Sequence, residues 1–162
     1  MPDNVYLGNP NLKKANTAIE FTQEQILEFV KCKEDPVYFA NNYIKIVSLD
    51  EGLTQFHPYH FQEKLINNFH GNRFNICKMP RQTGKSTTVV SYLLHYAVFN
   101  DSVNIGILAN KAATARELLG RLQTAYENLP KWMQQGIIAW NKGSLELENG
   151  SKILAASTSA SA

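Results

Sequence analysis

The residues best suited to chemistry form one short stretch, Pro80-Arg81-Gln82-Thr83-Gly84-Lys85-Ser86-Thr87. It stands between a short apolar run, Phe74-Asn75-Ile76-Cys77-Lys78-Met79, and a long apolar one from Thr88 to Phe99. A chain of phosphates packs several negative charges into a small volume. A helix N-terminus answers it with unpaired N–H groups and the positive end of the helix dipole. Gly84, lacking Cβ, lets the backbone approach closely and wrap phosphates with N–H donors. Lys85 has the reach of a mobile point charge for the β- and γ-phosphates, and the Ser86 hydroxyl suits Mg²⁺. Strand-like run, loop and helix in that order predict a phosphate-binding loop, with Arg81, Gln82, Thr83, Gly84, Lys85, Ser86 and Thr87 as the contact residues. The usual pattern is G-x-x-x-x-G-K-[ST], and its first glycine falls here on Met79. The alternative is a helix cap that happens to spell Gly-Lys-Ser.

The segments around the loop must position it. Residues 1–20 are rich in Asn and Lys with Gly8 and Pro10 and no apolar period, which reads as an extended arm or as disorder. Thr22 and Gln25 have capping-box spacing and start a helix whose stripe is Ile26, Phe29 and Val30. Asp35-Pro36 ends that helix and begins a second, with Asp as cap and Pro at its first position. The second helix carries Phe39, Tyr43 and Ile44 on one side, and residues 21–56 therefore read as a helical N-terminal subdomain, closed by a polar connection from Ser48 to Thr54. The core is expected over residues 57–162. It opens with a helix starting near Pro58 that carries Phe61, Leu65 and Phe69 and ends in a left-handed cap at Gly71.

This helix leads directly into the loop segment, and its start is aromatic and contains Gln62. An amide offers a donor and an acceptor together, so Gln62 could pair with the edge of adenine and favour ATP over GTP. The alternative is an exposed helix residue. His57 and His60 are three apart, but without acidic or thiol partners at matching distance they read as surface histidines. After the loop helix, Val103 to Leu108 reads as a strand, and Leu118, Leu122, Ala125, Tyr126 and Leu129 share a helix face that stops at Pro130. Such alternation predicts an α/β fold, a partial parallel sheet flanked by helices with ligands at the carboxyl ends of its strands. Lys111 and Arg116 lie near such an end, placed either to touch nucleic acid or phosphate or to be solvated helix-end charges. Ser144–Glu148 and Lys152–Ala155 flank Asn149-Gly150-Ser151, a hairpin signal. A three-residue loop, pairing Ile153 with Leu147 and Lys152 with Glu148, is preferred over a two-residue turn because it keeps the apolar residues on one face. The terminal Ser157 to Ala162 is small, polar and structureless on its own.

Composition is permissive. The chain has 162 residues, 44% of them hydrophobic, enough for one domain with a sizeable core. Lys and Arg number 16 against 14 Asp and Glu, so the net charge of +2 and the absence of a basic block are compatible with a nucleic-acid partner without arguing for one. Cys32 and Cys77 suit a reducing compartment. The polar start at Met1 lacks a signal-peptide pattern, and the longest apolar stretch is too short to span a bilayer. A soluble, cytoplasmic protein that makes no membrane contact is the expectation.

Several segments, Asn9 to Asn16, Asp35 to Phe39, Arg81 to Thr87, Gly106 to Lys111 and Trp140 to Ser144, together resemble the ATPase half of the large terminase subunit of T-even-type tailed phages. The short loop form with Arg-Gln and no leading glycine is typical of that family. The resemblance implies a P-loop NTPase fold with ATP and Mg²⁺ as ligands. Gln62 would contact adenine, Lys85 and Ser86 would hold phosphate and Mg²⁺, and Arg81 and Lys85 would be the catalytic cations. A rigid Arg fork can hold two phosphate oxygens; an exposed loop cation is the other reading of Arg81. The implied partners are double-stranded DNA, a portal protein and a small terminase subunit, with a homo-oligomeric ring in the host cytoplasm. In full length such a protein couples ATP hydrolysis to DNA translocation into the capsid and carries a nuclease domain.

Hydrolysis in this class also needs an acidic residue at the end of a later apolar strand. Of the acids after Lys85, namely Asp101, Glu117, Glu127, Glu146 and Glu148, none follows such a strand, and Glu146 and Glu148 read as outward-facing hairpin residues. The chain is accordingly expected to be a truncated ATPase core with negligible turnover. A helicase fragment and a nucleotide-binding module without turnover are the alternatives.

Overall fold

The computed structural model describes residues 4–48 and 50–158. The chain opens with a small antiparallel hairpin, β1 (Val5–Tyr6) and β2 (Asn9–Lys13). The extended arm is thus built and docked. Leu12 is buried, the Lys13 ammonium pairs with Glu148 at 2.8 Å, the Asn16 N–H donates to the same carboxylate at 2.8 Å, and Ala15 N–H donates to Ile137 O at 3.3 Å.

Two helices follow, α1 (Gln23–Glu34) and α2 (Pro36–Tyr43), and their boundaries fall where the capping chemistry places them. Gln25 N–H donates to Thr22 Oγ1, Thr22 N–H donates to Gln25 Oε1, and Asp35 Oδ1 accepts from the N–H groups of Val37 and Tyr38 at 2.9 Å each. The expected stripe on α1, running from Ile26 through Phe29 and Val30 to Cys32, is met in part: Cys32 is buried and Phe29 packs on Phe99 with ring centroids 4.9 Å apart, while Ile26 and Val30 are exposed. The stretch read as a polar connection is a second hairpin, β3 (Lys45–Ser48) and β4 (Gly52–Gln55), paired in register from Lys45 with Gln55 to Ser48 with Gly52. Gly52 takes a left-handed φ of 70° at its turn, which Asp50-Glu51-Gly52 makes accessible.

The helix α3 (His60–Gly71) buries Gln62, Leu65 and Ile66 and leaves Phe61 exposed, so its inward face is turned one residue from the expected one. Its end also differs. Gly71 is not left-handed, and Asn72 closes the helix in an extended conformation with its N–H on Asn68 O at 3.0 Å.

The segment Phe74–Met79, expected to be the first core strand, forms no ladder. Phe74 is 82% exposed and Ile76 fully so, and Cys77 is exposed where packing was expected. A strand needs a neighbour for its N–H and C=O groups. Here Arg73, Asn75 and Cys77 instead line a cleft of about 670 Å³, opposite Tyr92, Tyr96, Asn104 and Ile105.

Beyond the loop come α4 (Lys85–Phe99), β5 (Asn104–Ala109), α5 (Ala112–Glu127), β6 (Ile137–Trp140), β7 (Ser144–Leu147) and β8 (Lys152–Ser157). The sheet order is β5-β8-β7-β6. Only β5 and β8 run parallel, while β8–β7 and β7–β6 are antiparallel, so the sheet is mixed and the expected parallel sheet is corrected to that extent. Helix α5 packs on β5 and β8 and also touches α4. Its buried residues Ala115, Leu119, Leu122, Ala125 and Tyr126 repeat at helical spacing, each large one worth about 1.5–3 kcal/mol of burial.

The hairpin β7–β8 pairs Leu145 with Ile153 and Glu146 with Lys152, two residues away from the expected register. Parity is preserved, so Leu145, Leu147 and Ile153 all face the core. The loop is longer than expected because it is anchored. Asn149 Nδ2 donates to Ala97 O and Asn100 O at the end of α4, Ser102 N–H donates to Asn149 O, and Ser151 Oγ donates to Asn100 O. Of the tail expected to be structureless, Ser157 ends β8, paired with Ala109, and Thr158 N–H donates to Ala109 O at 2.9 Å, while residues 159–162 lie outside the described residues. Among the described residues no helix is long and apolar enough to cross a membrane.

Candidate nucleotide-binding site

Gly84 is the hinge between loop and helix. It is the N-cap of α4 and sits at φ 72°, ψ 17°, a left-handed conformation that strains any residue with a Cβ. Two residues earlier Gln82 is also left-handed, at φ 61°. These reversals turn the chain sharply so that the first turn of α4 opens outward. The N–H groups of a first helical turn have no acceptor within the helix, and here Lys85, Ser86 and Thr87 supply them. Thr88 closes the turn from inside: its N–H and its Oγ1 both donate to Gly84 O at 3.0 Å.

The loop side chains divide into fixed and free. Thr83 Oγ1 donates to Pro80 O at 3.1 Å. The Lys85 ammonium curls back along the loop, donating to Met79 O at 3.1 Å and to Pro80 O. Arg81, Gln82 and Ser86 are exposed, while Thr83, Gly84, Lys85 and Thr87 are half-buried. Lys85 and Ser86 also border a cavity of about 150 Å³ with Val89, Leu93, Ile107 and Leu118, which places the loop against the sheet through α4 and α5. Of the seven sequence-predicted residues, Arg81 to Gly84 form the turn and Lys85 to Thr87 open α4.

Gln62 is joined to the same turn. It is 3% exposed, its Oε1 accepts from Tyr59 N–H at 2.8 Å, and its Nε2 donates to Thr83 O at 3.3 Å. Its amide is therefore a strut between the start of α3 and the loop. The fit is close enough that a Cβ on Gly84 would lie 2.4 Å from Gln62 Nε2. The strut was legible only in part: the aromatic helix start flagged Gln62, but an inward face centred on it was not expected. The stacking of the Tyr59 and Phe61 rings at the same helix start was not expected either.

Other candidates fall outside the turn. Lys111 and Arg116 are exposed at the start of α5, after the carboxyl end of β5. His57 Nδ1 lies 2.9 Å from Asn41 Oδ1 and His60 Nδ1 lies 3.4 Å from Glu63 Oε2. Among the described residues no three His, Cys, Asp or Glu side chains gather as a metal cluster. Glu148, expected to face outward, is half-buried. Burial raises its pKa, but the bonds from Lys13, Gly136 and Asn16 outweigh that and hold its carboxyl below the ordinary value.

Behind the loop, α4 buries two polar side chains. His95 Nε2 lies 2.9 Å from Cys32 O, which makes Nε2 the protonated nitrogen, while His95 Nδ1 and Ser91 Oγ have no partner among the described residues. Burial lowers the His95 pKa to about 4 against the help of the Cys32 carbonyl, and nearby His70 lowers it further. The Cys32 thiol is raised to about 12, chiefly by burial and then by Glu28. These groups fasten α4 to the N-terminal helices and take no part in the loop.

The fold resembles that in the crystal structure of the HK97 bacteriophage large terminase, with a TM-score of 0.64 at 18% identity over 80% of this chain. The chain spans 28% of the length of that protein. A family described as terminase large subunit, T4-like-virus type, N-terminal, matches residues 76–162, which include the loop, α4, α5 and the whole mixed sheet. The chain belongs to this family, as an N-terminal portion of a phage terminase large subunit.

Proposed function

We propose that this chain is the ATP-binding portion of a phage DNA-packaging motor, with a P-loop built from residues 81–87. The observation that carries the reading is Gly84, left-handed at the N-cap of α4 and backed by Gln62, with the Lys85 ammonium folded over the same turn. A triphosphate would take the first-turn N–H groups of α4, and Lys85 would exchange two loop carbonyls for phosphate oxygens. Such charge-assisted bonds are about twice as strong as neutral ones. Arg81, exposed in the loop, would add a fork to the terminal phosphate. Mg²⁺ bound with the triphosphate supplies charge neutralisation, and the exposed Ser86 hydroxyl is the group that would ligate it. Gln82, Thr83 and Thr87 shape the turn, and Gln62 holds it in place.

In the full-length protein this site would couple ATP hydrolysis to translocation of double-stranded DNA. The partners would be the portal protein and the small terminase subunit, within a homo-oligomeric ring in the host cytoplasm. The acidic Mg²⁺ ligand and a nuclease centre would come from elsewhere in that longer chain.

The test is ATP-driven packaging by the full-length protein. Wild type should translocate DNA into empty capsids, and Lys85→Ala should reduce both packaging and ATP turnover by at least about a hundredfold, as loss of a main phosphate contact does. Unimpaired packaging by Lys85→Ala would refute the assignment, and duplex unwinding without packaging would favour a helicase.

A further inference from the structure

We propose that residues 4–16 are an exchangeable arm, and that the groove they fill accepts the same segment from a second copy of this chain. The inference does not depend on the nucleotide reading. It starts from how the arm is held, which is how a peptide ligand is held. Gln134, 3% exposed, uses its amide on the arm's backbone in both directions: Oε1 accepts from Lys13 N–H at 3.0 Å and Nε2 donates to Asn11 O at 2.9 Å. The same Nε2 reaches Leu129 O at 3.0 Å, so the amide is oriented from the body's side as well.

Between the two backbone bonds, Leu12 is 1% exposed in the core. The Lys13 ammonium meets Glu148 Oε1 at 2.8 Å, and Oε2 of that carboxylate accepts from Asn16 N–H at 2.8 Å. Gly136 makes room for the approach, since a Cβ there would lie 2.5 Å from Ala15 Cα. Lys14 bridges Ile137 in parallel and so extends the sheet past β6. Backbone pairing, one apolar anchor and one charge-assisted bond are the parts of peptide recognition by strand addition. The groove therefore fits an extended segment in which an apolar residue precedes a basic one.

The tether makes exchange possible. The bonds from the arm's side chains to the body span 118 to 135 positions in sequence. Among the described residues none of them goes to α1 or α2, and Thr17, Ala18, Ile19 and Glu20 make no hydrogen bond or ion pair. A segment joined to its fold by an unbonded link keeps every contact when it enters the same groove on a neighbour, which makes swapping a low-cost route to association. A second copy is the partner that carries the matching Asn11-Leu12-Lys13 by definition. In a lone molecule the tether holds the arm near its own groove at an effective concentration of about millimolar, so exchange belongs to copies already side by side.

The experiment is a charge-reversal mixture of the full-length protein. Lys13→Glu spoils the arm and Glu148→Lys spoils the groove, so neither variant retains its own arm. In the mixture one groove regains the wild-type pair and the other receives the reversed pair. Sedimentation equilibrium should show a one-to-one complex, with association at least about tenfold stronger than for either variant alone. Both changes in one chain should return the wild-type behaviour. A fluorescent peptide of residues 4–16 gives the second measurement. It should bind Lys13→Glu protein, whose groove is intact and vacated, at least about tenfold more tightly than wild type, whose tethered arm competes. Lys13→Ala, which removes the charge without reversing it, serves the same measurement if Lys13→Glu does not fold. A mixture no more associated than its components would overturn the proposal, as would a peptide bound no better by the Lys13 variant than by Glu148→Lys.

Discussion

Three residues show how much depends on single atoms. Gly84 combines a left-handed backbone with contact against Gln62. Gly84→Ala should cost about 1–2 kcal/mol in backbone strain alone and should also displace the Gln62 strut. The expected result is a lower melting temperature together with lost nucleotide affinity. Gln62→Ala is the companion change: it cuts the bonds to Tyr59 and Thr83, and should weaken binding of tripolyphosphate as well as of ATP, because the loop itself loosens. His95 acts on stability. Its folded pKa of about 4 lies below its ordinary 6.5, so the unfolded chain takes up a proton first as pH falls. Stability should be full above about pH 6.5 and should decline by up to about 3 kcal/mol toward pH 4. His95→Gln, which can keep a donor toward Cys32 O, should flatten that slope in urea unfolding curves measured across this range. An unchanged slope would assign the acid sensitivity to other groups.

At the scale of elements, boundaries written by local chemistry were legible and those written by distant contacts were not. Thr22 with Gln25, Asp35 with Pro36, and Gly84 each fix a helix start through bonds to neighbours a few residues away, and all three fall where the sequence puts them. The register of β7–β8 depends on Asn149 reaching Ala97 and Asn100, contacts about 50 positions distant in sequence that no local pattern encodes. The inward turn of Gln62 likewise depends on Thr83, and the ordering of the arm on Glu148. Within the candidate site, Arg81 to Thr87 stand out in the sequence because they form one contiguous pattern, whereas the tie from Gln62 to Thr83 spans 21 positions and shows only in the fold. The arm offers a direct check. Glu148→Ala removes the partner of Lys13 and of Asn16 N–H and should cost about 1–3 kcal/mol. Amide exchange of the β1–β2 hairpin should speed up accordingly, while exchange in α4 stays slow.

Over the whole molecule, α4 is the shared strut. One end carries the loop and the other receives the β7–β8 turn, while its buried face meets α2, α3 and α5. On the other side of α4 the Phe74–Met79 run remains without a ladder, the one place where an apolar strand pattern meets no partner among the described residues. The family assignment rests on residues 76–162, and the site reading rests on the turn that opens α4. The measurement that bears most directly on it is thermal stability of the protein against Mg-ATP concentration, for wild type and Lys85→Ala side by side. A ligand bound only to the folded state must raise stability, by about 2.7 kcal/mol at a hundredfold excess over Kd. The account predicts a melting temperature that climbs with the logarithm of Mg-ATP in wild type and stays flat in Lys85→Ala. A flat wild-type curve, or an equal climb in both proteins, would contradict it.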